Sequence, residues 1–422
     1  MTRVPAPPVT VALDPGVAYW TLRRMLRQAA GVLGTPPLDP VLTVTRPFLV
    51  ADDAGLAAVR GAITGTVPDT RWLAYDIDGF TSVAGGTVGL AVHPSSLLTE
   101  TAAAIESAIG EVAALADLPD ERFLIPIARD LDRRPFRIAR EALGIAPRPW
   151  YRSLFGRSRP VPIMPSPLRP LDATRLLVLV DGHPVGGYDL AGERWIARPV
   201  LGDRALQALS LRLYRRARGI ECIDSTPRPA GETWLLADLH LGHPGIALHA
   251  ARPFPTSETV EMDRVIVENW NASVAPGDRA ILLGDLCAGP DTGAFRAAAA
   301  SLAGRPTLVR GNHDPDLPEL VPSVALEENG HRFLALHDPA DAPGDFNGWV
   351  IHGHVHASDL RRYPFFDPGA RRINVSVETA GYRPVPLSEI VGLVSGGAGR
   401  ILVRDMPCRQ GGSAASARIA LA

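Results

Sequence analysis

Five times in the second half of this 422-residue chain a short apolar run stops at Asp, Asn or His. Thr233–Ala237 ends at Asp238-Leu-His240, Arg279–Leu283 at Gly284-Asp285, and Thr307–Arg310 at Gly311-Asn312-His313-Asp314. Phe333–Leu336 ends at His337, and Trp349–Ile351 at His352-Gly353-His354-Val-His356. Short apolar runs bounded by Gly and Asp suit strands buried on both faces better than helices. Between them, Ser257–Asn271 and Gly293–Leu302 have the spacing of amphipathic helices, the first with Thr256 or Ser257 as its expected N-cap. The pattern predicts a layered α/β arrangement with its polar groups at strand ends, on loops anchored by a rigid sheet. Asp, Asn and His at such places are donors for Mn, Fe, Zn or Ni, not for a Cys-based structural zinc.

The length predicts two domains. An apolar fraction of 46% and a mean hydropathy of +0.07 supply a core, and a net charge of -2 gives no global field toward nucleic acid or anionic membrane. All 43 basic residues are arginine, for which a GC-rich genome is the ordinary explanation. Cys222, Cys287 and Cys408 are widely spaced, which argues against a disulfide framework and fits a reducing compartment. The N-terminus lacks the apolar segment of a signal peptide and no run reaches membrane length, so the expectation is a soluble, cytoplasmic protein without a membrane partner.

The Pro- and Gly-punctuated stretch Ser225–Gly231 separates a helical pattern, Leu206–Arg218, from the first of the metal-bearing strands. The expected division is therefore a domain over 1–224, a linker over 225–231, a second domain over 232–405 with a last strand at Ile401–Arg404, and a flexible tail over 406–422. In the first half, strands are expected at Pro8–Leu13, Val41–Val44, Val88–Val92 and Leu176–Val180, with a helix over Leu97–Ala116. The Arg148–Arg169 loop carries Trp150, Tyr151 and Phe155, which could stack on bases, although a solvated Pro-rich loop is the plainer reading.

The order D-x-H, G-D, G-N-H-D, H, G-H-x-H between Asp238 and His356 resembles the calcineurin-like metallophosphoesterase superfamily. Glu268-Asn-Trp-Asn271, Arg372–Glu378 and Tyr382–Val385 extend the likeness. The first half resembles, over looser patterns, the 2H phosphoesterase or RNA 2′,5′-ligase-like family: Pro40–Phe48, Asp78-Gly79-Phe80, Gly85-Gly86, Val92–Ser95, Arg122–Arg129, Gly186-Gly187-Tyr188 and Trp195. Both of that family's H-x-T histidines are missing here, where the chain reads Val41-Leu-Thr43 and Leu124-Ile-Pro126. Without a paired acid and base the first domain is expected to bind or support, not to catalyse. The resemblance thus implies a fold of two α/β and α+β domains: a 2H-like domain, then a metallophosphoesterase-type layered β-sandwich flanked by helices.

By the same resemblance, two divalent metal ions, Mn²⁺ foremost with Fe, Zn or Ni as alternatives, would be held by Asp238, His240, Asp285 and His356 and by Asp285, Asn312, His337 and His354. Asp285 would bridge them. The ions would polarise a phosphoryl oxygen and acidify a water. His313 would act as general acid, with Asp314 orienting its imidazole and raising its pKa. Arg310 and His243 are expected substrate contacts, since Gly284-Asp-Leu-Cys287 lacks the basic residue common after G-D; His352 is left between a supporting and a substrate role. The expected reaction is hydrolysis of a phosphomonoester or phosphodiester, the partner a phosphorylated small molecule, nucleotide or RNA end. The competing reading is an RNA- or nucleotide-binding protein whose metal domain is regulatory or vestigial.

Overall fold

The computed structural model describes residues 6–67, 71–145, 171–221, 231–255, 259–289 and 291–405. These residues form two compact units that divide between Tyr214 and Arg215, inside a helix. Each is a mixture of helices and more than one sheet. Most of the expected linker, the whole expected tail and the Arg148–Arg169 loop lie outside the described residues.

The first unit begins β1 (Pro8–Asp14), α1 (Tyr19–Leu33), β2 (Leu42–Thr43), β3 (Phe48–Leu49), α2 (Asp53–Thr66), β4 (Leu73–Val83), β5 (Thr87–Pro94) and α3 (Ser96–Gly110). It continues β6 (Ala114–Leu115), β7 (Leu124–Ala128), α4 (Arg133–Ala142), β8 (Leu171–Ala173), β9 (Arg175–Val180), β10 (His183–Asp189), β11 (Arg194–Ala197) and α5 (Arg204–Ala217). One sheet runs β11-β10-β9-β1-β3-β6 with β2 also on β1, and a second runs β7-β5-β4-β8. On α1, Leu22, Met25, Leu26, Ala29 and Ala30 are buried at the spacing of one helix face. The expected helix over Leu97–Ala116 is shorter: α3 is capped by the Ser95 hydroxyl, ends at Gly110, and the chain turns so that Ala114–Leu115 pairs with Phe48–Leu49. Alanine propensity favoured a longer helix, and strand pairing overrode it.

In the second unit, β12 (Thr233–Leu236), α6 (Ile246–His249), α7 (Val260–Ser273), β13 (Arg279–Leu283), α8 (Thr292–Ser301) and β14 (Thr307–Val309) are followed by β15 (Ser323–Glu328) and β16 (His331–Leu336). Then come β17 (Trp349–His352), β18 (Phe366–Asp367), β19 (Arg372–Asn374), β20 (Val385–Pro386) and α9 (Leu387–Ser395). One sheet is ordered β14-β13-β12-β20, the other β15-β16-β17-β19-β18. β12, β13 and β14 run parallel, as do β16, β17 and β19, while the edge strands β20, β15 and β18 are antiparallel. All the ligand-bearing segments consequently leave the carboxyl ends of parallel strands.

Two local expectations are corrected. Helix α7 starts at Val260 with Thr259 at its N-cap and no side-chain cap, while Thr256 and Ser257 lie outside the described residues. Ile401–Arg404 is not a strand: Ile401 makes a single bridge to Phe366, too short a pairing to extend β18. Among the described residues no helix is long and apolar enough to cross a membrane.

Candidate metal centre

The β12 and β17 loops meet because Gly353 leaves room. A Cβ there would sit 2.5 Å from the Ala237 Cβ and 2.7 Å from Asp238 Oδ2. At Gly311 a Cβ would run into the Asp285 carboxylate and amide. These approaches explain why Gly precedes the ligand in both segments: the backbone packs directly on another loop's carboxylate. The turns are also tight. Asp238, His240, Asp285, His354 and His356 have φ of 59°, 52°, 54°, 69° and 50°, a region that non-glycine residues enter at a cost of about 1–3 kcal/mol each and that concentrates at functional sites.

What converges there is a cup of donors. The ligand atoms of Asp238, His240 and His356 lie within 4.8 Å of one another, and so do those of Asp238, Asp285 and His337. Asp285 Oδ2 stands between two imidazoles, 3.4 Å from His240 Nε2 and 3.5 Å from His337 Nε2. Asp285 Oδ1 is engaged otherwise, accepting the His313 amide at 2.9 Å. Asp285 would present Oδ2 to a cation while Oδ1 also holds the His313 amide. Asn312 Oδ1 lies 3.0 Å from His337 Nε2 and 3.0 Å from His354 Nδ1. All seven expected ligands are thus brought together.

Three of the four histidines are oriented from behind. His337 Nδ1 donates to the Leu283 carbonyl at 2.9 Å, which leaves Nε2 as the lone-pair atom facing the cup. His356 Nδ1 is 3.1 Å from Glu378 Oε1, and His354 Nε2 is 3.5 Å from Asp338 Oδ2. His240 differs. It is 2% exposed and neither ring nitrogen has a hydrogen-bond partner. Burial, with His356 and Arg252 adding to it, pulls its imidazole down to about 2, so it is the neutral form that a cation needs. Asp285 moves the other way: burial, and the nearby Asp238 against the opposing His337, push its carboxyl above the usual range. Crowded carboxylates beside an unpartnered buried imidazole are a donor set that a divalent cation would satisfy, so the residues fit the expected metals.

The remaining expected site residues divide. His313 is exposed, held through its own amide by Asp285 and with its ring centroid 5.2 Å from that of His240. Asp314 does not orient it. Its carboxylate accepts the Asp285, Leu286 and Gly311 amides at 2.9, 3.0 and 2.8 Å, which locks the β13 and β14 loops together and leaves its oxygens occupied. Arg310 is half-exposed and paired with Asp316. His243 is beside the cup: its ring lies 5.7 Å from that of His240, and its Nδ1 accepts the Gly245 amide at 3.1 Å, so Nε2 carries the proton. His352 is wholly buried in β17, its ring against Tyr363, and plays no part in the cup. Cys287 is buried and forms a bridge with Leu241, a small packing residue.

Sequence reading missed Arg252, Asp338 and Glu378. Only Glu378 lay in a segment already singled out, and no spacing marks any of the three.

No family model matches the chain. Over 166 residues it is 37% identical to an uncharacterized protein of Methanocaldococcus jannaschii, an alignment that spans 39% of this chain and 92% of that protein. A crystal structure of a protein of unknown function from Aquifex aeolicus aligns at 25% identity over 39% of this chain and 99% of that one, with a TM-score of 0.29.

Proposed function

We propose, for a chain that belongs over those 166 residues to the family of the Methanocaldococcus jannaschii protein, that it is a dinuclear metal-dependent phosphoesterase of the calcineurin-like type. The observation that carries this is the placement of Asp285 Oδ2 between His240 and His337, with His240 buried and unpartnered. The two sheets of the second unit, with every donor at a parallel strand end, fit the layered sandwich of that superfamily. The first unit fits a 2H-like domain that does no chemistry.

When bound, two divalent cations, Mn²⁺ foremost, would supply Lewis-acid polarisation of a phosphoryl oxygen and an acidified water. The chain's own residues do the rest. Asp238, His240, Asp285, Asn312, His337, His354 and His356 present donors on turns held rigid by the strand ends. His313, exposed at the rim, gives a proton to the leaving ester oxygen. Its position is set by the hydrogen bond its backbone amide donates to Asp285 Oδ1, not by Asp314. His243 Nε2–H is a fixed donor for a substrate oxygen. The substrate is a phosphomonoester or phosphodiester, with nucleotides and RNA ends as the classes to try first.

The Mn²⁺-loaded protein should hydrolyse p-nitrophenyl phosphate or its bis-ester. A protein that binds two ions per chain and leaves both esters untouched would overturn the proposal. RNA oligonucleotides with defined 2′,3′-cyclic, 2′-phosphate and 3′-phosphate ends, beside mononucleotides, would then name the substrate class.

A further inference from the structure

We propose that Arg252 and Glu378 are positioning residues that brace one of the two ion positions, the one lined by Asp238, His240 and His356, and make it the tighter of an unequal pair. This rests on the reading above that the cup holds two divalent ions.

Arg252 is 1% exposed and Glu378 2%. A charge so deeply buried is destabilising unless its hydrogen bonds are satisfied, and here they are spent on the site. Arg252 Nε donates to Glu378 Oε1 at 2.8 Å, Nη1 to the Leu239 carbonyl at 2.8 Å and Nη2 to the Asp238 carbonyl at 2.6 Å. One planar guanidinium thereby grips the backbone of the D-x-H turn, whose left-handed Asp238 and His240 need such support. Through Glu378, whose oxygens lie 3.1 and 3.2 Å from His356 Nδ1, the same fork holds the last ligand loop. Asn374 adds a third tie, donating to the His356 carbonyl at 2.9 Å. Two loops more than a hundred residues apart in sequence are locked by one ion pair behind the ligands.

At the other position His337 is held by the Leu283 carbonyl, but the remaining donors are not backed by a buried ion pair. His354 leans on Asp338, and their side chains are 35% and 33% exposed; Asn312 is exposed. A ligand on an exposed, singly supported side chain must be ordered when the ion arrives, whereas the turn that carries the buried His240 is held by Arg252 and the His356 ring by Glu378, so more of the ordering cost falls on the other site.

Calorimetric titration of the metal-free full-length protein with Mn²⁺ tests this, with bound ions counted by elemental analysis. The wild type should show two sites at least about tenfold apart in Kd. Glu378→Gln, nearly isosteric, should weaken the tighter site by about 10–100-fold, the range for loss of a carboxylate behind a ligating imidazole, and leave the weaker one unchanged. Arg252→Lys keeps the charge but loses the fork, and should act in the same direction if the first variant does not fold. His354→Ala should do the reverse, abolishing the weaker site alone. Two equal sites in the wild type, or equal weakening of both by Glu378→Gln or Arg252→Lys, would overturn the brace while leaving the phosphoesterase reading in place. Fewer than two ions in the wild type would overturn that reading and the brace with it.

Discussion

The two units treat comparable places in opposite ways. In the first, β2 and β7 come together, the Phe123 amide donating to the Thr43 carbonyl at 2.8 Å, so Val41-Leu-Thr43 and Leu124-Ile-Pro126, where the resemblance would place two histidines, are neighbours. Val41 and Leu124 stand at those positions, Val41 half-buried and Leu124 buried, as are the neighbouring Leu42, Ile125 and Ile127. In the second, strand ends meet on Asp238, His240, Asp285 and His337, which are just as buried but polar, with His240 left without a hydrogen-bond partner. A buried imidazole without a partner is a group that a bound cation would complete.

Substitutions should sharpen that contrast. The largest effect is expected for Asp285→Ala, which removes the oxygen between His240 and His337: hydrolysis of the model esters should fall by about 10³-fold or more, the several kcal/mol that metal polarisation supplies, and bound Mn²⁺ should fall below two per chain. Next, Leu124→His, which puts back an imidazole that the first unit lacks, should destabilise urea unfolding by about 2–4 kcal/mol by burying a polar ring among apolar neighbours, and should leave ester hydrolysis unchanged. A gain of activity on 2′,3′-cyclic phosphate would break the comparison. His313→Gln should lower turnover by about 10²-fold with the ion count intact, as expected of a proton donor that is not a ligand.

The smallest effect belongs to Asp278, a structural carboxylate of the second unit. It accepts the Gly231, Glu232 and Ala275 amides and the Trp234 indole N–H at 2.9–3.1 Å. Against the pull of burial, these donors hold its carboxyl below the usual range. A depressed carboxylate contributes stability that is present above the unfolded value of about 3.9 and is lost as pH falls through the folded one. Asp278→Asn should therefore cost roughly 1–2 kcal/mol at pH 7, the scale of charge-assisted bonds discounted for partial exposure, and the cost should shrink toward zero in acid. Ion content should not change.

The strand ends of the second unit were legible because an apolar run that halts at Gly-Asp or Gly-His has few ways to fold, and five such halts restrict one another. The seven donors that meet in the cup were readable for that reason. Asp314 was not, because adjacency to His313 in sequence says nothing about where a carboxylate finds donors; it found three backbone amides across a loop junction. Arg252 and Glu378, 126 residues apart, show no pattern until the chain is folded. Arg310 was expected at the substrate for want of a nearer cation; in the structure it pairs with the exposed Asp316. The overlong reading of α3 and the strand expected at Ile401 share a cause: local propensity carries no information about which partner the backbone will pair with.

The central claim, that one oxygen of Asp285 joins two divalent ions, is tested most directly by anomalous diffraction from Mn²⁺-loaded crystals. Two peaks about 3.5–4 Å apart, with Asp285 Oδ2 between them, His240 and His356 on one and His337, His354 and Asn312 on the other, is the predicted result. A single peak, or two peaks with Asp285 turned away from both, would contradict it.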